Sequence, residues 1–557
     1  MARRIRWQIV TAVIGVLLVA GVLAQLALST TAVAEPRAGG SYTEAVPGAP
    51  AQLIPLLNDP LSDPVGRDIA ALLFDGLTRL GFDGLPEGAL AESWRIDQDG
   101  RIYIFELRDD VLWHDGTPFT ADDVVFTVRA IQDENFTGNP SLVNLWQNVL
   151  VDRLDDYTVR FTLSAPYSPF LSVARLPILP AHLLSDIPVE EWATSSFATE
   201  PVGTGPYQLA RLEADRAELR VNREYFIERP FIDRLELRFI DSPQATFALL
   251  ETSEIQALGA STATAPELNQ LGLPEGVRRI STPLDEYAVL TFNLREPPLD
   301  QLALRRALAR GLSKSTLLEQ VLNGQVARID NPILPGWWPF DPTIGWYAYD
   351  AEAATEVLDA LGYEETPEGV RERNDESLSL PLITDGDPGR LAAAREIARQ
   401  WAVIGVEVDV TQLEREELRQ RLRERDFVLA VHGWARLGAD PDIFELWHSS
   451  QADDGLNYAG LRDDTIDELL TSGRIERDLA ARNESYAAFQ RRWVELVPSI
   501  TLYQPLYSFT VSGAVDGLGF EQTPFGGNVL LVGREDRYRN ITNWFVQSSR
   551  EIRETLR

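Results

Sequence analysis

The sequence predicts an α/β protein of several units, and three observations carry that expectation. The chain has 557 residues, more than one hydrophobic core organises, so about two to four units are expected. Between Leu378 and Trp434, strand-length apolar runs alternate with longer amphipathic runs. That β-α-β-α-β order predicts a parallel sheet flanked by helices. The first half reads differently: short alternating runs joined by turn residues, the pattern of hairpins.

In chain order, residues 35–50 are small and contain Gly and Pro, which reads as a linker entering a first strand near Ser41. Residues 61–85 form an apolar helix-like run ending in Phe82-Asp-Gly-Leu85. Ile102, Ile104 and Glu106 alternate with Tyr103, Phe105 and Leu107, which suits a strand covered largely on both faces. Asp99-Gly100 and Asp115-Gly116 flank it as turn dipeptides. Thr120, with Asp123 three residues on, is a helix N-cap with an acidic N3, and Val124, Val125 and Val128 begin an apolar stripe. Residues 152–163 read as a hairpin turning at Asp155-Asp156. Pro201-Val-Gly-Thr-Gly-Pro-Tyr207 is a loop opening onto a second hairpin over 208–221. Its glycines permit tight turns. It is not a phosphate cradle, since no Lys follows and no helix begins.

Residues 302–310 and 315–322 are expected helices, the second closed by Asn323-Gly324. Asp350 caps a helix through Leu361, with Gly362 past its end. Then follow a strand over 378–383, a helix over 391–404 stopped by Gly405, a strand over 406–410, a charged helix over 414–425 and an apolar strand over 427–431. A helix over 480–497 and one or two strands over 500–511 complete the pattern.

Composition narrows the function classes. A net charge of −33 argues against nucleic acid, whose binders need basic patches, and against adhesion to anionic lipid. The absence of Cys removes disulfides, thiolate metal sites, cysteine nucleophiles and lipid attachment together. None of the four His sits at metal-ligand spacing with another, so no metal and no cofactor is expected. Neither a Gly-x-Ser-x-Gly elbow nor a His-Glu-x-x-His helix is present, which leaves an exported hydrolase as a minor alternative. Arg3, Arg4 and Arg6 precede an apolar run over 9–28. Such a helix spans about 30 Å, enough to cross a bilayer, and the arginines place the N-terminus inside. Ala32-Val33-Ala34 offers a small-x-small cleavage site. The segment is a signal peptide or an uncleaved membrane anchor, and both export the remaining chain.

Residues 90–130, LAESWRIDQDGRIYIFELRDDVLWHDGTPFTADDVVFTVRA, resemble nearly residue for residue the signature region of the family 5 extracellular solute-binding proteins. Those are the peptide- and nickel-type receptors of ABC importers. Leu290-Thr-Phe-Asn293 with Pro297-Pro298 and Arg305-Arg306-Ala307-Leu308 looks like a second block of that family. Tyr349-Asp350 through Leu361-Gly362-Tyr363, then Asn457-Tyr458-Ala-Gly460 and Asp467-Glu-Leu-Leu470, resemble later ones. The resemblance implies a type II, two-lobed periplasmic-binding-protein-like fold, with mixed sheets flanked by helices, an extra domain in the first lobe and a hinge between lobes. The implied division is 1–34 leader, 35–65 linker and first strand of lobe 1, and 66–195 extra domain. Then come 196–285 lobe 1 continued, 286–498 lobe 2, and 499–557 return to lobe 1 and C-terminal tail. The implied activity is an extracytoplasmic, monomeric receptor and not an enzyme. It captures a small solute, an oligopeptide or similar, and delivers it to permease subunits with cytoplasmic ATPases. A membrane-tethered sensor or chaperone-like binder on the same fold is the alternative.

Open α/β sheets bind ligands beyond the C-terminal ends of their strands. The strand over 427–431 is expected to deliver His432, Gly433, Trp434, Ala435 and Arg436 to such an end, and this segment coincides with the family's ligand-contacting one. Trp434 offers a flat surface for stacking, and His432 and Arg436 suit a carboxylate or other anion. Peptide-binding members place an Asp three residues after the Gly-Trp pair to hold the peptide's ammonium group. Leu437 stands there and cannot pair with an ammonium. Asp440, in Gly438-Ala-Asp-Pro-Asp442, is either its substitute or turn chemistry. Tyr503, on the strand returning to the first lobe, and Tyr287, before the strand leading to Asn293, are further candidates to line the cleft, with core packing as the competing role.

Overall fold

The computed structural model describes residues 32–552 except 59–62, 98, 262–271, 436–437, 439 and 520–529. The apolar leader and Arg436 therefore lie outside the described residues. Ala32–Pro36, which contains the expected cleavage site, pairs antiparallel with Ser548–Ile552.

One mixed sheet runs through the molecule. Its strands are β1 (Ser41–Pro47), β2 (Tyr207–Leu212), β3 (Arg216–Val221), β4 (Arg234–Ile240), β5 (Ala257–Ser261), β6 (Val277–Pro283), β7 (Glu286–Phe292), β8 (Val326–Ala327), β9 (Leu382–Thr384), β10 (Val410–Gln412), β11 (Leu429–Ala435) and β12 (Ser499–Ser512). Their spatial order is β10-β9-β11-β7-β12-β5-β1-β4-β3-β2, with β6 and β8 also paired to β12. The expected β-α-β-α-β stretch supplies the parallel trio β10-β9-β11, and β7 joins it antiparallel.

The residues over 500–511 form a single strand, β12, and that strand joins the two halves. Its start pairs with β7, from Ser499 to Tyr503, and its remainder pairs with β6 and β5. Nearly every side chain along it is buried, as a strand covered on both faces requires. Separate apolar cores lie on either side of the crossing. Tyr42, Phe105, Trp113, Leu219 and Phe509 belong to the first. Leu290, Leu308, Trp401, Val431 and Leu502 belong to the second. Trp337, Trp338, Trp447 and Trp493 gather in an aromatic cluster beside the second.

The signature region stands apart from the large sheet. Ala91–Ile96, Ile102–Leu107, Thr158–Thr162 and Leu150–Asp155 form a four-stranded antiparallel sheet in that order. Tyr103, Phe105 and Leu107 are buried, whereas Ile102, Ile104 and Glu106 are only half-buried, so one face packs fully rather than both. The helix Ala121–Ile131 starts where expected: the Thr120 N–H donates to Asp123 Oδ2 at 2.9 Å, and Asp123 Oδ1 accepts from the Ala181 N–H at 2.9 Å.

Several expected elements are shorter than their apolar runs. Among the described residues of 61–85, Pro64–Leu73 is the helical part; Phe74 is extended, and Thr78–Leu80 is a strand. Past the break Gly76 lets another segment approach, since a Cβ there would lie 2.5 Å from the Arg175 carbonyl. The expected helix over 315–322 is a short turn, Lys314–Thr316, passing into a π-helical one, Leu317–Val321. The strand expected over 406–410 is interrupted: Glu407 bridges Ser379 in parallel, and regular pairing resumes in β10 opposite Leu382 to Thr384.

Candidate functional site

The strand expected to end at Val431 runs on to Ala435, so His432, Gly433, Trp434 and Ala435 lie within β11 rather than beyond it. Its two neighbours differ in length. On one side β9 stops at Thr384, opposite Val431. On the other, β7 continues the pairing through Val289–His432, Ala288–Gly433, Tyr287–Trp434 and Glu286–Ala435. The last residues of β11 therefore keep one strand neighbour and one open edge. This crevice, at the C-terminal ends of β9 and β11, is where open α/β sheets receive ligands.

Asp385 and Arg390 occupy the place that β9 leaves. Arg390 Nε and Nη2 donate to the two Asp385 carboxylate oxygens at 2.9 and 2.7 Å. Asp387 caps the helix Pro388–Ala402 by accepting the Arg390 N–H at 2.9 Å. A Cβ on Gly433 would come within 3.0 Å of Arg390 Nη1, so glycine lets the guanidinium lie against the strand. The Arg390 side chain is 20% exposed and that of Asp385 7%. Burial pushes the Asp385 carboxyl up, but the hydrogen bonds and charge of Arg390 outweigh it and hold the group below the usual range. The sequence reading missed both residues. Their signal was Asp387-Pro388, a helix start placed directly after a strand end.

Tyr503 joins this group from the helix-bearing face of the sheet. It is 2% exposed, and its hydroxyl lies 2.6 Å from where a Cβ on Gly389 would be. Burial, then the charge of Asp387, pushes its phenol up. On the opposite face, Trp434 stacks on Tyr458 with centroids 5.2 Å apart and 18° between planes, and the Arg425 guanidinium covers Tyr458 at 5.2 Å. His432 meets both rings edge-on. It is 4% exposed, and its Nε2 pairs with Thr291 Oγ1 at 2.9 Å. Burial, then the charge of Arg390, pushes the imidazole down to about 3. The ring is neutral near pH 7 and offers no positive charge to an anion.

Two further candidates are placed elsewhere. Tyr287 is buried in the aromatic cluster, and burial pushes its phenol up. Asp440 is buried in a two-pronged ion pair with Arg482 at 2.9 and 2.7 Å. Burial pushes its carboxyl up, and Arg482 pulls it back only in part. Asp442 is likewise paired, with Arg474 at 2.8 Å. Asp440 and Asp442 thus each tie the turn to a helical arginine.

The glycine-rich loop in the other lobe has its polar groups occupied. The His114 N–H donates to the Gly203 carbonyl at 2.8 Å, the Gly203 N–H donates to His114 Nδ1 at 3.1 Å, and the Gly205 N–H donates to the Leu73 carbonyl at 2.8 Å. A Cβ on Gly203 would fall 1.8 Å from that carbonyl oxygen. Among the described residues, no group of three or more His, Asp or Glu could hold a metal ion, and no helix is long and apolar enough to cross a membrane.

Two cores joined by a shared strand, with a crevice at strand ends, define a two-lobed binding protein. Residues 86–455 match the bacterial extracellular solute-binding proteins, family 5, and the chain belongs to that family. It is 26% identical over 463 residues to the dipeptide-binding protein of Escherichia coli, covering 77% of this chain and 84% of that one. It is 27% identical over 486 residues to the oligopeptide-binding protein AppA of Bacillus subtilis, covering 85% and 87%. The structure of NikZ from Campylobacter jejuni in complex with Ni(L-His) superposes with a TM-score of 0.68 at 26% identity, over 91% of this chain and 99% of that one.

Proposed function

We propose that the protein is the receptor of an ABC importer. It captures a small solute, an oligopeptide or similar, in the crevice between its lobes and delivers it to permease subunits driven by cytoplasmic ATPases. The observation that carries this reading is the family match, which runs from the small four-stranded unit through β11. The peptide class draws on the relatives named for dipeptides and oligopeptides. A metal chelate is the second reading, favoured by the likeness to NikZ in its complex with Ni(L-His).

In this reading Arg390 contacts the solute, Asp385 positions Arg390, Trp434 supplies an apolar stacking surface, and Tyr503 contributes a hydroxyl. Arg436, next after β11, is a further contact. The N-terminal segment exports the chain, as a cleaved signal or as an anchor holding the receptor on the outer face of the membrane. Native mass spectrometry of the protein as purified tests the class of solute. A ladder of bound peptides supports the peptide reading, and a retained chelate or sugar, or failure to bind a peptide library, sinks it. Steady product release from a bound solute would sink the receptor reading itself.

A further inference from the structure

We propose that Tyr167 and Ser168 of the small four-stranded unit and residues 474–477 of the second lobe form a latch that holds the crevice shut. A helix leaves its last carbonyls without partners of its own. The helix Asp464–Ile475 ends against the loop that carries Ser168. The Ser168 N–H donates to the Arg474 carbonyl at 2.9 Å, and Ser168 Oγ donates to the Glu476 carbonyl at 2.5 Å. Arg477 Nη1 returns a bond in the other direction, to the Asp97 carbonyl at 2.7 Å.

Both sides of the contact are braced. Pro166 and Pro169 stiffen the loop by fixing their φ angles, and the Tyr103 hydroxyl donates to the Tyr167 carbonyl at 2.9 Å from the signature strand behind it. Arg474 lies over the Tyr167 ring at 5.6 Å while its charge is met by Asp442 at 2.8 Å and Glu445 at 3.2 Å. Arg482 Nε donates to the Gly473 carbonyl at 2.8 Å, so the buried Asp440–Arg482 pair fixes the helix end that receives Ser168. These three bonds end on main-chain carbonyls, so none of them depends on which solute occupies the crevice. Each replaces a bond to water in the open state. The two side-chain bonds, from Ser168 Oγ and Arg477, therefore bias the open–closed ratio by about tenfold instead of locking it. The small unit acquires a role of its own: closure control at a distance from the solute.

The proposal rests on the receptor reading only in requiring that the lobes open. The chain has no cysteine, so Glu190→Cys with Gln420→Cys places one dye on each lobe, and single-molecule energy transfer reads closure directly. In protein freed of bound solute by unfolding and refolding, Ser168→Ala with Arg477→Ala should move the ratio about tenfold toward open at an unchanged Tm. Arg477→Lys, which keeps a donor, should recover part of the closed population. With tri-alanine as the probe, the double variant should release it about tenfold faster at an unchanged association rate. A distance distribution that the double variant does not move, or a wild-type chain that is open throughout, overturns the latch. Failure of tri-alanine to bind the wild type counts against the peptide reading alone, because the closure measurement needs no probe.

Discussion

The signature region and the strand-end crevice are built on opposite plans. In the signature region the partners are near in sequence. Trp113 accepts the Gly116 N–H, Asp123 accepts the Thr120 N–H, and Tyr103, Phe105 and Leu107 face one core. In the crevice they are far apart. Arg390 follows β9, Gly433 and Trp434 sit in β11, Tyr503 lies in β12, and Tyr458 comes from a loop between the last two. The difference teaches that a scaffold segment identifies a family from one window of sequence, whereas a binding crevice exists only through the register of strands that meet late.

If that contrast holds, scaffold changes should cost stability and leave binding intact, and crevice changes should do the reverse. Arg482→Met breaks the contrast most instructively, because Asp440 lies in the crevice segment by sequence but serves the scaffold by pairing. Stranding its buried carboxylate should cost about 3–5 kcal/mol, read as a fall in the denaturation midpoint. Gly203→Ala, which drives a methyl into the Leu73 carbonyl, should cost about 3 kcal/mol with solute retention unchanged in the folded fraction. Trp434→Ala should show the opposite pattern. The affinity for the solute found by mass spectrometry should fall about tenfold, about 1.4 kcal/mol, while Tm moves little. An equal loss of Tm and affinity in that variant would dissolve the distinction.

The smallest effect is a pH slope inside the scaffold. Asp75 accepts from Thr204 Oγ1 at 3.0 Å and from the Tyr225 hydroxyl at 2.9 Å, and burial raises its carboxyl to about 6. The folded chain then holds this proton more tightly than the unfolded one, so stability falls as pH rises from about 4 to about 6 and is level above that. Asp75→Asn should remove this slope, so its Tm relative to wild type should climb between pH 4 and pH 6. A constant offset across that range would show that Asp75 does not titrate there.

How much was legible follows from where each signal lies. Thr120 with Asp123, and Asp350 with Gly362 after its helix, mark helix ends with bonds that span three or four residues, and those ends fall where the sequence places them. The parallel trio also follows from local alternation. The end of β11 does not, because β7 rather than anything near residue 431 decides how far the pairing extends. Arg390 was missed because Gly433, the residue it lies against, belongs to β11, far along the chain, although its partner Asp385 is only five residues before it. His432 reads as an available cation only until Thr291 and the buried face of β11 are known.

The sequence by itself determined the class of fold, the order of its elements and the family, since periodicity, caps and turn residues act over a few positions and survive any arrangement of neighbours. Only the tertiary structure decided which charges are buried in pairs and which keep some exposure. Asp440 and His432 are committed inside the protein, and Arg390, though paired with Asp385, keeps 20% of its side chain exposed beside β11. Burial and strand register set those assignments, and both depend on contacts between segments that no local window contains.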